Sequence, residues 1–280
     1  MFKKIYQSFF LIILIIVIGC SKSSDTVNKE LNKSNDSIDF IQIKTDLLFN
    51  SNQIISILTI PKESFDKYDI VFSHSDLDFM TTSSFGKSRK AVAAVNGGFF
   101  NMDNGGSATY FEIDDIVIAN TRNPELKWGI RKDLMNGSIV LNNDSTISIN
   151  KANSDEFYEL SNLEEAVLVT GPLLLLNSEL MEFPNLKFVN NRHPRTCIGI
   201  TDDFIKFITI DGRSSKAQGM SLPELQEYLK SLDCLNAINL DGGGSTTMWI
   251  EDSGVVNFPS DKSGERPVSN AILLIDKGDK

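Results

Sequence analysis

From about residue 38 onward, apolar and polar positions alternate or cluster in short runs rich in Ile, Val, Leu and Phe. The runs fall at 38–43, 53–60, 69–72, 91–95, 108–113, 116–119, 138–141, 146–149, 173–176, 196–200, 205–210, 237–240, 246–250 and 271–275. Each has the length and β-branched content of a strand, and Asp, Asn and Gly turns separate many of them. One helix is well marked. Ser221-Leu222-Pro223-Glu224 combines an N-cap serine, a first-turn proline and a glutamate three residues on. Leu222, Leu225, Leu229 and Leu232 then repeat at helical spacing. Further helices are expected around 75–84 and near 155–164. The pattern predicts an α+β fold: a large mixed or antiparallel β-sheet core with few helices, in a single domain over 38–280.

The first residues follow a different pattern. Lys3 and Lys4 precede an unbroken apolar run from Phe9 to Ile18, of secretory length and short for a membrane span. It ends Val17-Ile18-Gly19-Cys20, which looks like a bacterial lipobox. Residues 1–19 therefore read as a lipoprotein signal peptide and Cys20 as the lipidated first residue; the other reading is an uncleaved signal anchor. Residues 20–37 are rich in Ser, Asn, Lys and Asp and read as a flexible tether. The expected location is the bacterial cell envelope, lipid-anchored at the outer membrane or the periplasmic face.

Charge narrows the partners. The 280-residue chain carries 27 basic and 37 acidic side chains, a net charge of −10. This argues against nucleic acid and against adhesion to anionic lipid by charge alone. With Cys20 lipidated, Cys197 and Cys234 remain, in an oxidising compartment that permits a bridge. Both sit in apolar contexts, so buried thiols are the slightly favoured reading.

The most informative stretch is Asn239-Leu240-Asp241-Gly242-Gly243-Gly244-Ser245-Thr246-Thr247. A strand runs in, a carboxylate sits at its end, and three glycines leave. Consecutive glycines cost backbone entropy and suit a place where the chain approaches a ligand closely, its N–H groups aimed at an anion or a sugar. A tight hairpin is the plainer alternative. The run lacks the Lys-Ser/Thr ending of a nucleotide-binding P-loop. A second carboxylate, in Asp211-Gly212-Arg213, ends the strand before the capped helix. If that helix is a crossover, the two strands are parallel and both carboxylates open onto one edge.

Four further pieces accompany these two. They are Asn96-Gly97-Gly98-Phe99-Phe100, Gly171-Pro172-Leu173-Leu174, His193-Pro194-Arg195-Thr196-Cys197-Ile198-Gly199, and Arg266-Pro267-Val268-Ser269-Asn270. In this order the pieces resemble the phosphodiester glycosidase family over about 91–275. The resemblance implies a hydrolase that cleaves an N-acetylglucosamine-like sugar from a glycosyl-1-phosphodiester, or a related envelope or extracellular glycan, between C1 and the phosphate oxygen. It also implies a secreted or lipid-anchored setting. One departure is Asn177-Ser178, where the family commonly has glycine after the GPLLL strand; a turn tolerates it.

The residues suit such chemistry. Arginine binds phosphate oxygens bidentately, so Arg195, then Arg213 and Arg266, are the candidate phosphate ligands. Cleavage at an anomeric carbon builds an oxocarbenium-like transition state that a carboxylate stabilises or attacks. The leaving group is a phosphate monoester with a second pKa of roughly 6, so it departs with little protonation. Asp241 and Asp211 are the catalytic candidates beside Arg195, with their individual roles open. Asn96, Gly97, Gly98, His193, Arg213, Gly242, Gly243, Gly244, Ser245, Thr246 and Arg266 are the candidate substrate contacts. Asn96 fits either a sugar hydroxyl or an Asn-Gly turn, and His193 either a proton shuttle or a cap. Of Phe99 and Phe100, at least one reads as core and the other can stack on a sugar. Asn101, Asp103, Gly106 and Glu112 only weakly suggest a calcium loop, so neither metal nor cofactor is expected. A Ser245–His193–Asp211 triad lacks the G-x-S-x-G elbow. The expected partners are a glycan or glycosyl-phosphodiester substrate and the membrane through Cys20, with no nucleic acid. The rival function is a non-catalytic glycan-binding or exopolysaccharide-handling lipoprotein.

Overall fold

Alternating side chains on the central strands build two cores, one on each face of a seven-stranded sheet. In Gln53–Pro61, Ile55 and Ile57 face one core while Leu58 and Ile60 face the other. In Phe204–Ile210, Ile208 and Ile210 join the first and Ile205 and Phe207 the second. Coverage on both faces makes these strands read as nearly continuous apolar runs. The computed structural model describes residues 37–75, 78–119 and 131–279. The proposed signal peptide, Cys20 and all but the last residue of the tether lie outside the described residues.

The seven-stranded sheet runs in the order Asp39–Thr45, Gln53–Pro61, Phe204–Ile210, Arg195–Ile200, Asn236–Asn239, Leu173–Leu176, Glu179–Leu180. A five-stranded sheet has the order Gly254–Val255, Met248–Ile250, Ala91–Asn96, Asn270–Asp276, Tyr68–His74. Another has Ile116–Ala119, Phe111–Ile113, Glu164–Thr170, Gly137–Asn142, Ile147–Lys151. Strand pairing among the described residues is antiparallel. All three sheets contribute to the shared interior, through residues such as Ile198, Val95 and Ile139.

Helices cover outer faces. The helix Leu222–Ser231 has the expected capping box at Ser221 and Glu224. It buries Leu222, Leu225, Tyr228 and Leu229 against the seven-stranded sheet. Cys197 and Cys234 lie in the same core as free, buried thiols. A Cβ on Gly199 would come within 2.6 Å of Cys234 Sγ, so that position admits no side chain without displacement. Among the described residues no helix is long and apolar enough to cross a membrane.

Two expectations are corrected. The helix expected over 75–84 is instead Thr82–Ser88, because Thr81 Oγ1 accepts from the Ser84 N–H and fixes the start there; residues 76 and 77 lie outside the described residues. The helix expected near 155–164 stops at Glu159, and Glu164 already begins the strand Glu164–Thr170. That strand, the short Glu179–Leu180 and Gly254–Val255, and the four-residue helix Lys187–Asn190 are additional to the expected elements. Asn177 and Ser178 both adopt left-handed backbone, φ 51° and 66°, in the hairpin that pairs Leu176 with Glu179. Asparagine is among the non-glycine residues that tolerate this best.

The strands Phe204–Ile210 and Asn236–Asn239 run in the same direction, each antiparallel to Arg195–Ile200 between them. Their C-terminal ends, at Asp211 and Asp241, and the N-terminal end at Arg195 therefore lie along one edge.

Candidate active site

Two sheets meet at the side chain of Asn96, the last residue of its strand. Asn96 Oδ1 accepts from Thr196 Oγ1 at 2.7 Å and from the Thr247 N–H at 3.1 Å. Its Nδ2 donates to the Asp241 carbonyl at 2.7 Å. The side chain is fully buried. This corrects the expectation of a sugar ligand: Asn96 holds the backbone beneath Asp241, and its polar atoms are already engaged. Gly97 and Gly98 are corrected likewise. Their N–H groups donate to the Asn270 carbonyl at 3.0 Å and to Asn270 Oδ1 at 2.7 Å. A Cβ on Gly97 would stand 2.0 Å from that oxygen, so glycine here serves close backbone packing.

Asp241 is carried by this frame, its N–H donating to the Gly97 carbonyl at 3.1 Å. Its side chain lines a cavity of about 590 Å³ together with Phe99, Arg131, Leu134, Leu186 and Phe188. Phe99 and Phe188 make an edge contact, ring centroids 6.3 Å apart. Phe100 turns away into a separate core and packs on Phe79. Burial raises the Asp241 pKa to about 6, against the opposing pull of Ser245, the Gly242 N–H, Arg266 and Arg213. Gly242 N donates to Asp241 Oδ1 at 2.8 Å. The buried Ser245 side chain lies beside the carboxylate and favours its ionised form.

The glycine run is occupied from behind by two arginines. A Cβ on Gly243, where φ is +63°, would meet Arg213 Nη2 at 2.8 Å. One on Gly244 would meet Arg266 Nη2 at 2.2 Å and Asp261 Oδ1 at 2.3 Å. Arg266 Nε is fixed by Asp261 Oδ2 at 2.8 Å. Glycine is thus what lets two guanidinium groups lie against the loop that follows Asp241. Several of the loop's own N–H groups are used internally: Gly243 N donates to the Pro194 carbonyl and Ser245 N to the Gly242 carbonyl. This corrects the expectation of a backbone cradle at Gly242 and Gly243; the positive charge comes from side chains. Thr246 is buried, and its carbonyl accepts from Asn257 Nδ2.

Arg195 is also corrected as a direct phosphate ligand. It is only 1% exposed. Its Nε donates to the Met220 carbonyl at 3.0 Å, and its Nη2 to the carbonyls of Phe188 at 2.7 Å and Asn191 at 3.2 Å. Its guanidinium carbon lies 4.9 Å from the Phe188 ring centroid. Burial, and then the Arg213 charge, lower its pKa to about 9. Arg195 therefore positions the segment that places Phe188 in the cavity wall. Burial, with the charges of Arg195 and Arg213, also lowers the His193 pKa. That holds the imidazole neutral at pH 7 and removes an acid at the site.

Asp211 is 2% exposed and its pKa is raised to about 6, chiefly by burial. Its Oδ1 accepts from Asn257 Nδ2 at 3.1 Å and the Phe258 N–H at 3.0 Å. Asn257 in turn bonds the Thr246 carbonyl and, through Oδ1, the Met248 N–H. Asp211 thus braces the loop from behind and does not line the Asp241 cavity. Asp261, Asn257 and Phe188 carry no signal in the sequence, being single polar or aromatic residues outside any motif core, whereas Asn270 ends the Arg266 piece, which does not show its structural role. In the weak calcium-like stretch, Asn101 Oδ1 accepts from the Asp103 and Asn104 N–H groups, and Glu112 is bonded to Tyr110. No cluster of three or more His, Cys, Asp or Glu suited to a metal occurs among the described residues.

Comparison with known proteins adds to this geometry. The sequence profile of the phosphodiester glycosidase family matches residues 89–275. The N-acetylglucosamine-1-phosphodiester alpha-N-acetylglucosaminidases of Mus musculus and Homo sapiens are each 29% identical over 177 residues, 60% of this chain and 33% of each relative. The chain thus spans about a third of the length of these relatives. The catalytic domain of the zebrafish enzyme of that name superposes with a TM-score of 0.66 at 20% identity, covering 86% of this chain and 83% of that one. A hypothetical protein from Synechocystis gives a TM-score of 0.65 at 15% identity, covering 85% and 62%. At these identities the superpositions show a shared fold.

The raised Asp241 pKa has a consequence for stability. The folded protein keeps this proton over a pH range in which the unfolded chain has lost it. The resulting stabilisation is complete below the ordinary value of 3.8 and is lost as pH rises through about 6. Asp241→Asn removes the ionisation. It is expected to exceed wild type by about 1–3 kcal/mol at about pH 7.5, a difference that vanishes near pH 4. Urea unfolding across this range checks it; a mutant that is less stable at pH 7.5, or that parallels wild type throughout, contradicts it.

Proposed function

Because the chain belongs to the phosphodiester glycosidase family, we propose that it hydrolyses the bond between the anomeric carbon of a sugar and the oxygen of a phosphodiester. The single observation carrying this reading is the pairing of one cavity-lining carboxylate, Asp241, with two arginines lodged against the glycines that follow it. The sugar occupies the Asp241 cavity, where Phe99 and Phe188 offer apolar faces to a pyranose or an N-acyl group. The phosphate lies on the side of Arg213 and Arg266. As the C1–O bond breaks, both electrons leave with the phosphate oxygen, and the arginines stabilise the added charge. Ionised Asp241 supports the developing positive charge at C1, and water supplies the hydroxyl that ends there while its other proton passes to solvent or to the departing phosphate monoester. No strong acid is needed, because the leaving monoester is already a weak base. This fits a site whose second carboxylate, Asp211, is buried behind the loop and whose His193 is neutral.

N-acetylglucosamine is the proposed sugar, on the strength of the names of the relatives. We also place the protein at the cell envelope through lipidation of Cys20. Loss of membrane association in Cys20→Ala supports that placement, and retention argues against it.

Wild-type protein is expected to release N-acetylglucosamine from its 1-phosphodiesters at a rate that rises with pH through about 6, as Asp241 ionises. Arg213→Gln or Arg266→Gln should lower kcat/KM by about 10²–10³. Each should also shift this limb upward in pH, because each removes a charge that favours the carboxylate. Unchanged rates and limb in both variants would remove the arginines from the reaction.

A further inference from the structure

A second cavity, of about 730 Å³, is lined by Lys44, Asn52, Ser214, Ser215, Lys216 and Phe258. Four observations set it apart from an ordinary surface hollow. Phe258 is 59% exposed, yet its backbone is anchored, its N–H donating to Asp211 Oδ1 at 3.0 Å. The ring is therefore held at the rim and not packed inward. Lys44 Nζ lies 5.8 Å from that ring's centroid, within cation–π reach. Two lysines face a single lining carboxylate, Asp46, in a chain whose net charge is −10. Finally, the cavity adjoins Arg213 along the chain, since Ser214 is the next residue. Arg213, held in left-handed backbone at φ 61°, begins the segment that forms one wall, and its Nη1 reaches Ser260 Oγ at 3.5 Å, two residues beyond Phe258. Asn52 Nδ2 secures that wall by donating to the Ser215 carbonyl at 2.9 Å.

Resting on the glycosidase reading, we infer that this cavity is the aglycone subsite and that the aglycone is an anionic polyol or sugar phosphate. Its ring or carbon chain lies on Phe258, its hydroxyls meet Asn52, Ser214 and Ser215, and a second phosphate lies within reach of Lys44 and Lys216. The substrate then runs in one line: sugar at Asp241, scissile phosphate at Arg213 and Arg266, further phosphate at the lysines. An exposed aromatic beside cations suits such a ligand, because the carbohydrate C–H face is apolar while its phosphate is charged.

The test is calorimetric binding to the Asp241→Asn protein, which prevents turnover. One probe is the methyl diester of N-acetylglucosamine-1-phosphate. The other replaces the methyl by glycerol carrying a terminal phosphate. The longer probe should bind at least about tenfold more tightly. Adding Phe258→Ala or Lys216→Glu should erase that advantage while leaving the shorter probe's affinity and the melting temperature unchanged. Equal affinity for the two probes, no binding of either, or an advantage that survives both substitutions overturns the subsite. Sugar release by wild type from the shorter probe is read separately. Its absence removes the glycosidase reading and leaves the binding comparison standing.

Discussion

The Asn96 side chain is the tie on which the site depends. One amide joins the strand Ala91–Asn96 to Thr196 in the neighbouring sheet, to the Thr247 N–H and to the Asp241 carbonyl. It is buried, so its hydrogen bonds are made away from competing water, where leaving one partner unpaired costs about 1–3 kcal/mol. Asp241 belongs to one sheet and the glycine loop leads into another. Without a fixed connection between them, the carboxylate and the arginines behind the loop would have no common frame. Catalytic geometry tolerates only small misplacement, and a fully satisfied polar hub supplies that rigidity.

Around this tie the site divides labour between charge and shape. Gly243 and Gly244 leave room that Arg213 and Arg266 fill, and Asp261 holds the second of these. Arg195 works from below: three carbonyls hold its guanidinium, and the Phe188 ring lies against it. A buried guanidinium satisfied by carbonyls keeps its charge, so Arg195 adds to the positive potential without touching the cavity. Asp211 and Asn257 brace the far end of the loop. Arg195 and Asp211 thus each fix a piece of backbone, and among the described residues Asp241 is the carboxylate that lines the cavity.

The sequence made the sheets legible because their strands are short, β-branched and separated by turn residues. It made the edge legible too. If the capped helix between Asp211 and Asp241 is a crossover, their strands run the same way, as they do. The strand Glu164–Thr170 was hidden behind the helix signal at Ser154 and Asp155, which is real but ends within five residues. The site was legible in residue type and only partly in role. Arginine at a strand start reads alike whether its partners are phosphate oxygens or carbonyls, and burial decides the matter for Arg195. Asparagine before two glycines reads alike whether it meets a sugar or a neighbouring strand. Consecutive glycines suggest free N–H groups, whereas what Gly243 and Gly244 free is space for side chains distant in sequence. Asp261 and Asn257 left no local signal, since their partners come from elsewhere in the chain.

The central claim is that water enters at the sugar and not at phosphorus. Hydrolysis of an N-acetylglucosamine-1-phosphodiester in ¹⁸O-labelled water, followed by mass spectrometry of both products, tests it most directly. Cleavage between C1 and oxygen puts the label in the released sugar and none in the phosphate monoester, with sugar detected before the anomeric hydroxyl exchanges with solvent. Label in the phosphate would show attack at phosphorus and contradict glycosidase chemistry at Asp241.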